Sequence, residues 1–387
     1  MTLRVLTLAT LFPDASRPHL GPFVELQTRA LAAHQDVDLR LVAPLGIPPL
    51  GRFHSRYKAL ARLPADETWN GVPVYRPRFV HIPGTGGRFD AAALVRAVTP
   101  VLRRLRKTFE FDVIDAQYFF PDGPAAIELG RIFDVPVSIK ARGADVHFWG
   151  RNAVTGSQVS AAGQAADGIL AVSHALKADM VALGMPADRI RVHHTGVDRT
   201  IFQVRDRAAA KAALGVTGPL LVSVGALIER KGHDIAINAV SRLPHATLVI
   251  IGEGPYRLAL EAHARLPNDQ VRFLGAQPHE VIADWLAAAD AMVLMSDSEG
   301  LANAWVEALA SGTPVVISDV GGAREVLNRP EAGVLSSPNA PSVANAIAHV
   351  LAGDADRHAV AATVAQFSWE ANTAALYDHL KAVAARQ

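Results

Sequence analysis

MSDSEGLANAWVEALASGTPVVISDVGG occupies residues 295–322. Ala291 to Met295 is a short apolar run, Ser296 to Gly300 is polar and turn-prone, Leu301 to Ala310 has helical composition, and Pro314 to Ser318 is β-branched again. That order is strand, loop, helix, strand. In an open parallel sheet such a loop sits at the carboxyl end of a strand, where ligands bind, and the helix that follows aims unpaired N–H groups at any anion there. Glu299 falls in this loop. Glu307 falls within the helix, and periodicity does not fix whether it faces ligand or solvent. On spacing alone, both read equally well as solvated glutamates.

The same alternation recurs on both sides. Strand-like runs cover Leu3–Ala9, Val37–Ala43, Val113–Ala116, Val135–Ile139, Ile169–Val172 and Ile190–His193. A second series covers Leu220–Val224, Ala246–Ile251, Val271–Leu274, Ala291–Met295, Val315–Ser318 and Gly333–Leu335. Alternating β and α patterns imply an α/β chain with parallel sheets covered by helices on both faces. Two series imply two Rossmann-like domains. TGVDRTIF, residues 195–202, marks the boundary, giving domains of 1–198 and 199–366, and FSWEANTAALYDHLKAVAARQ, 367–387, reads as an amphipathic terminal helix.

A chain of 387 residues, half of them hydrophobic, can bury two sizeable cores. The net charge is +1; up to Asp198 the chain carries 23 Lys and Arg against 18 Asp and Glu, and 15 against 19 thereafter. That asymmetry is too mild for a nucleic-acid-binding face, and nucleic acid is not an expected partner. The absence of Cys excludes disulfides, thiolate metal sites and a cysteine nucleophile. MTLRVLTLAT reads as a first strand rather than a signal peptide, and no apolar run approaches the roughly 18 residues needed to span a bilayer. A cytoplasmic protein, peripheral at most on the inner membrane face, is the expectation.

Other loops offer further chemistry. SVGALIERKGHDIAI places Lys231 just after a strand and just before a helix, where a cation and a helix N-terminus can meet a phosphate together. LFPDASRPHLGPFVELQTRALA joins the first strand to a helix through a loop too long for a bare turn, and its Gly21 and Pro22 either serve a ligand or shape the helix entry. No GxGxxG follows the first strand of either domain, which disfavours a dinucleotide oxidoreductase. His147, His193 and His194 lack metal-ligand spacing with nearby carboxylates and read as structural.

The run EGLANAWVEAL, followed by SGTPVV and DVGG, resembles the donor-site signature of glycosyltransferase family 4, retaining enzymes of group 1 type with the GT-B fold: two Rossmann-like domains facing across a cleft. The resemblance covers nearly the whole chain and is densest over about residues 220 to 330. It implies that Glu299 contacts donor-sugar hydroxyls, that Glu307 binds the nucleotide ribose, and that Gly300, Leu301 and Ala302 offer backbone N–H groups to the sugar phosphate. Lys231 then matches the family's diphosphate lysine. Ala226 stands where many members carry Arg, and Arg230 is the candidate replacement. Gly21 matches a first-loop glycine that lets backbone approach the donor phosphates.

SIKARGADVHFWG resembles a His-Gly-x-Asp segment with Arg142 in place of His; an arginine cannot act as a base but can stabilise a departing phosphate or orient an acceptor. Asp145 either braces that loop or touches substrate. DVIDAQYFFPDGPAA has Asp115 and Gln117 where the family has two histidines, and Tyr118, Phe119 and Asp122 either line the acceptor side or pack. The terminal helix is implied to cross back onto the acceptor-binding first domain, leaving the second as the donor-binding domain.

The implied function is retaining transfer of a hexose or hexosamine from a UDP- or GDP-linked donor to a sugar or lipid-linked hydroxyl acceptor, in cell-envelope or exported polysaccharide synthesis. No cofactor and no metal are expected. A nucleotide-sugar epimerase of the same architecture and a non-catalytic sugar-nucleotide binding protein are the rival readings. Two basic stretches, GRFHSRYKALARLP and LVRAVTPVLRRLRKTF, fit either an interfacial helix on anionic lipid or a helix with one packed and one solvated face.

Overall fold

The computed structural model describes residues 2–264 and 270–386, with backbone alone for Arg52 and Arg56. The chain forms two compact units, Met1–Thr195 with Trp369–Gln387, and Gly196–Ser368. The seam falls inside TGVDRTIF.

The first unit holds ten strands: β1 Leu3–Leu8, β2 Val37–Val42, β3 Leu45–Ile47, β4 Asp66–Trp69, β5 Val72–Tyr75, β6 Arg78–Val80, β7 Val113–Ala116, β8 Val137–Ala141, β9 Gly168–Ala171 and β10 Ile190–Val192. Eight of them make one sheet, ordered β10-β9-β8-β7-β1-β2-β5-β4, while β3 and β6 pair separately. All neighbours run parallel except β4 and β5. β1, β7, β8 and β9 are covered on both faces, which is why apolar residues predominate in them without alternating. The terminal helix Trp369–Ala384 belongs to this unit and adds Leu376, Leu380 and Val383 to a core built on β1, β2 and helix Pro22–Ala32.

The second unit holds β11 Leu220–Val224, β12 Thr247–Ile251, β13 Val271–Gly275, β14 Ala291–Leu294, β15 Val315–Ile317 and β16 Gly333–Leu335. They form an all-parallel sheet ordered β13-β12-β11-β14-β15-β16. Numbered within the unit this is 3-2-1-4-5-6, the doubly wound order. The direction of winding reverses between β11 and β14, so the loops leaving those strands part to opposite faces and open a crevice at their carboxyl ends. In the first unit the same reversal falls between β1 and β7.

Twelve strands match the runs read from sequence. β3 to β6 were absent from that reading.

Candidate functional site

In the second unit, the loops that leave β11 and β14 are tied to each other. After β11 the chain makes a 3-10 turn over Glu229–Lys231, passes through Gly232 at φ 62°, and enters helix His233–Val240. A Cβ at Gly232 would strike the Met295 carbonyl oxygen, so only glycine lets the loops approach this closely. Asp297 N–H donates to Arg230 O at 2.8 Å, and Arg230 Nη1 donates to Ser298 O at 2.6 Å. Lys231 Nζ donates to Glu299 Oε1, which also accepts from Ser296 Oγ at 2.8 Å. The Ser296 carbonyl is held in turn by Ser318 Oγ, at 2.5 Å, from the end of β15. Gly321, at φ 52°, lets the next loop close on Glu299 and Gly300, and Gly322 N–H donates to Gly300 O at 2.8 Å.

The Lys231 and Glu299 side chains are only 12% and 9% exposed, so the pair is largely out of water and its Coulombic attraction is little screened. Helix Asn303–Ala310 starts beside it with Ala302 at the N-cap and no side-chain cap. Trp305 N–H turns back to Ala302 O at 3.1 Å, and the N–H groups of Asn303 and Ala304 are left to an incoming acceptor atom. Glu307 is half-buried about one turn further on. Among the described residues its carboxylate has no hydrogen-bond partner, and burial pushes it up to about 7. Under β11, Ser223 Oγ lies 2.9 Å from His233 Nδ1, and burial lowers that imidazole to about 4, which keeps it neutral.

In the first unit, Gly21 at φ 64° precedes helix Pro22–Ala32, and a Cβ there would stand 2.7 Å from Leu11 O. Asp145 is fully buried and accepts from the backbone N–H groups of Phe119 at 2.9 Å, Arg142 at 2.9 Å and Gly143 at 2.8 Å. Both its oxygens are thus spent on bracing the loop, although burial still raises its pKa. Asp122 is equally buried, accepts from Thr10 N–H at 2.9 Å, and is pushed to about 7 by burial. Tyr118 is half-buried in the same loop.

Arg142 is held by Gln117, through Nε to the carbonyl at 2.9 Å and Nη2 to Oε1 at 2.6 Å, and its guanidinium lies 4.8 Å from the Phe23 ring centroid. Burial lowers it to about 10, so it stays charged at neutral pH, and its Nη1 has no hydrogen-bond partner among the described residues. Behind it runs a buried polar chain. Gln27 Nε2 donates to Gln117 Oε1 at 2.7 Å, Lys140 Nζ donates to Gln27 Oε1 at 2.6 Å and lies 2.7 Å from His193 Nδ1, and His193 Nε2 reaches Asn372 O at 2.8 Å. Burial pushes both the Lys140 ammonium and His193 well down, so a neutral imidazole accepts at Nδ1 and donates at Nε2.

The fold therefore gathers Arg230, Lys231, Glu299 and Gly300 at one crevice, with Leu301 and Ala302 leading into the helix that begins there and Glu307 on it. It gathers Tyr118, Asp122, Arg142 and Asp145 on the loops after β7 and β8. Ser296, Gln27 and Lys140 escaped the sequence reading, because their significance lies in partners far away in the chain. Among the described residues no group of three or more His, Asp or Glu stands together as a metal-ligand set. No helix there is long and apolar enough to cross a membrane. Of the two basic stretches, the second is helix Asp90–Leu105, whose Leu94, Val98 and Leu102 are buried in its own unit.

Residues 23–200 match Glycosyltransferase Family 4, and residues 204–366 match Glycosyl transferases group 1. The chain belongs to the group 1 glycosyltransferases. TuaC of Bacillus subtilis (strain 168), a glycosyltransferase named for teichuronic acid biosynthesis, is 27% identical over 356 residues, spanning 89% of this glycosyltransferase and 88% of TuaC. The fold is that of GT-B enzymes. Sucrose-phosphate synthase from Thermosynechococcus elongatus superposes with a TM-score of 0.84 at 21% identity, covering all of both chains. Anabaena Alr3699/HepE in complex with UDP superposes at 0.73 and 20% identity, over 98% of this chain and 100% of that one.

Proposed function

We propose that this glycosyltransferase moves a sugar from a nucleoside diphosphate sugar to a hydroxyl acceptor with retention of anomeric configuration. The observation that carries the reading is the meeting of Lys231 with Glu299 at the switch point, beside the uncapped start of helix Asn303–Ala310. A donor entering there separates the pair. Its diphosphate takes Lys231, Arg230 and the helix N–H groups, and its sugar hydroxyls take the freed Glu299 carboxylate. Glu307, unpartnered and poised near neutrality, accepts from the ribose hydroxyls.

In the transfer step the bond between the anomeric carbon and the phosphate oxygen breaks, the acceptor oxygen bonds to that carbon from the same face, and the acceptor proton passes to the departing diphosphate. Fixed cations placed where charge develops lower this barrier without reorganising. We infer from them that Mg²⁺ is not required; loss of transfer in EDTA with recovery on adding Mg²⁺ is the contrary result. In the first unit, Arg142 rather than Asp145 is the residue assigned to the acceptor, since both Asp145 oxygens already brace the loop, while Asp122 holds Thr10 N–H through Oδ2. TuaC's name supports polysaccharide synthesis and the UDP in Alr3699/HepE a uridine donor; a cell-envelope product made at the cytoplasmic membrane face is the extension we propose.

The test is calorimetric titration of UDP and GDP, with EDTA present, into the wild type and Glu307→Ala. One nucleotide should bind, and the variant should lose most of that affinity; binding of neither by folded protein refutes the donor site. NMR of the product's anomeric proton tests retention.

A further inference from the structure

Among the described residues, ten large hydrophobics are exposed, and seven of them fall in three segments of the first unit, 48–64, 78–89 and 147–157. Leu50 is 76% exposed, Phe53 72%, Phe148 60% and Phe89 50%, with Val80 and Ile82 between them in sequence. The fold brings the segments together. Pairing of β3 with β6 sets Ile47 beside Val80, and His81 N–H donates to Ile47 O at 3.1 Å, so the loops that follow leave this small sheet from one end. His81 Nδ1, 2.9 Å from Asp90, closes the second loop. The third lies alongside: a Cβ at Gly87 would stand 3.2 Å from the Trp149 ring and one at Gly86 3.7 Å from Val154, and Gln158 Nε2 donates to Arg88 O at 3.2 Å.

The three segments contain no Asp or Glu and seven Lys or Arg. Lys58, Arg62 and Arg88 are exposed, whereas Arg151 is turned 3.4 Å from Asp179. Apolar tips set among cations suit a bilayer interface, where the tips enter the acyl boundary and the cations meet headgroup phosphates. A second copy of the chain on the same patch would oppose like charges, which costs free energy. We propose that this face docks on an anionic lipid membrane, with Leu50, Phe53, Phe89 and Phe148 inserted and Lys58, Arg62 and Arg88 on the headgroups. It gives the membrane contact of the proposed function a site, and rests on nothing in the donor crevice.

The test is co-sedimentation of the full chain with vesicles of phosphatidylcholine alone or with phosphatidylglycerol, at low and high salt. Binding is expected only with phosphatidylglycerol, and weaker in salt. Phe53→Ser/Phe89→Ser/Phe148→Ser should weaken it at least about tenfold. Lys58→Ala/Arg62→Ala/Arg88→Ala should weaken it roughly a hundredfold, at about fivefold per cation. Thermal melting and UDP titration of both variants should match the wild type, so a failed donor site shows separately. No binding to phosphatidylglycerol vesicles at low salt, or equal binding by wild type and variants, overturns the proposal. So does a dimer in solution that these substitutions dissolve while vesicle binding is unchanged.

Discussion

Glu307 is a carboxyl that burial alone holds near 7, above the usual carboxylate value of 4.5. Its folded pKa is raised, so the native state binds the proton more tightly than the unfolded chain between those values. The stability it contributes is complete below pH 4.5 and is lost as pH rises through 7. Glu307→Gln should therefore leave urea stability unchanged near pH 4.5 and raise it by about 3 kcal/mol at pH 8. Nucleotide binding should run the other way, strengthening through pH 7 in the wild type as the carboxylate forms, and staying weak and flat in the variant. Lys231 tests the neighbouring pair. Lys231→Ala strands the Glu299 carboxylate out of water, which should cost about 1–3 kcal/mol of stability and roughly 10²–10³ in kcat. In Lys231→Ala/Glu299→Gln, the stability should return and the turnover should not. Recovery of both would mean that Lys231 serves only to neutralise Glu299.

At the level of single elements, two glycines separate conformational strain from steric contact. Gly71, at φ 85°, forms with Asn70 the two-residue turn between β4 and β5, and a Cβ there meets nothing within 4 Å. Gly321, at φ 52°, faces the Glu299 and Gly300 carbonyls. Gly71→Ala should cost only the left-handed backbone penalty, about 1 kcal/mol. Gly321→Ala should cost about 3 kcal/mol in denaturant unfolding and abolish nucleotide binding, because the loop carrying Glu299 must retreat. Equal effects would show that contact with the donor loop is not what fixes glycine at 321. The same hairpin shows what made elements legible. Six of the twelve recognised strands, β7, β8, β9, β11, β14 and β15, are buried at every position, whereas ETWNGVPVY is half-exposed, alternates, and contains Pro73. Its Asn-Gly turn carried the signal, and the long stretch between recognised strands obscured it. Lys140 was illegible for another reason: its partners Gln27, His193 and, through His193, Asn372 come from distant parts of the chain, and no local pattern forecasts a buried lysine whose amine they satisfy.

For the molecule as a whole, strand order brings the chemistry together: Lys231 and Glu299 are 68 residues apart and meet because β11 and β14 are neighbours at the reversal of winding. Local sequence placed each on a loop after a strand, but could not pair them. Every contact described around that crevice comes from within Gly196–Ser368, so the proposed donor site is built from one unit. The terminal helix serves the other. It supplies Leu376, Leu380 and Val383 to the first core, and Asn372 and His379 to bonds with His193 and Ser138. Three such apolar side chains contribute roughly 6 kcal/mol, which is on the scale of a whole domain's stability. A chain ending at Ser368 should therefore lose the packing of its first unit while the second stays folded and binds nucleotide with wild-type affinity. Limited proteolysis with mass spectrometry should find early cleavage confined to residues 1–195, and a fragment spanning 196–368 should bind the nucleotide alone. If truncation at Ser368 instead abolishes nucleotide binding, the second unit depends on the first, and the donor site cannot be ascribed to Gly196–Ser368 alone.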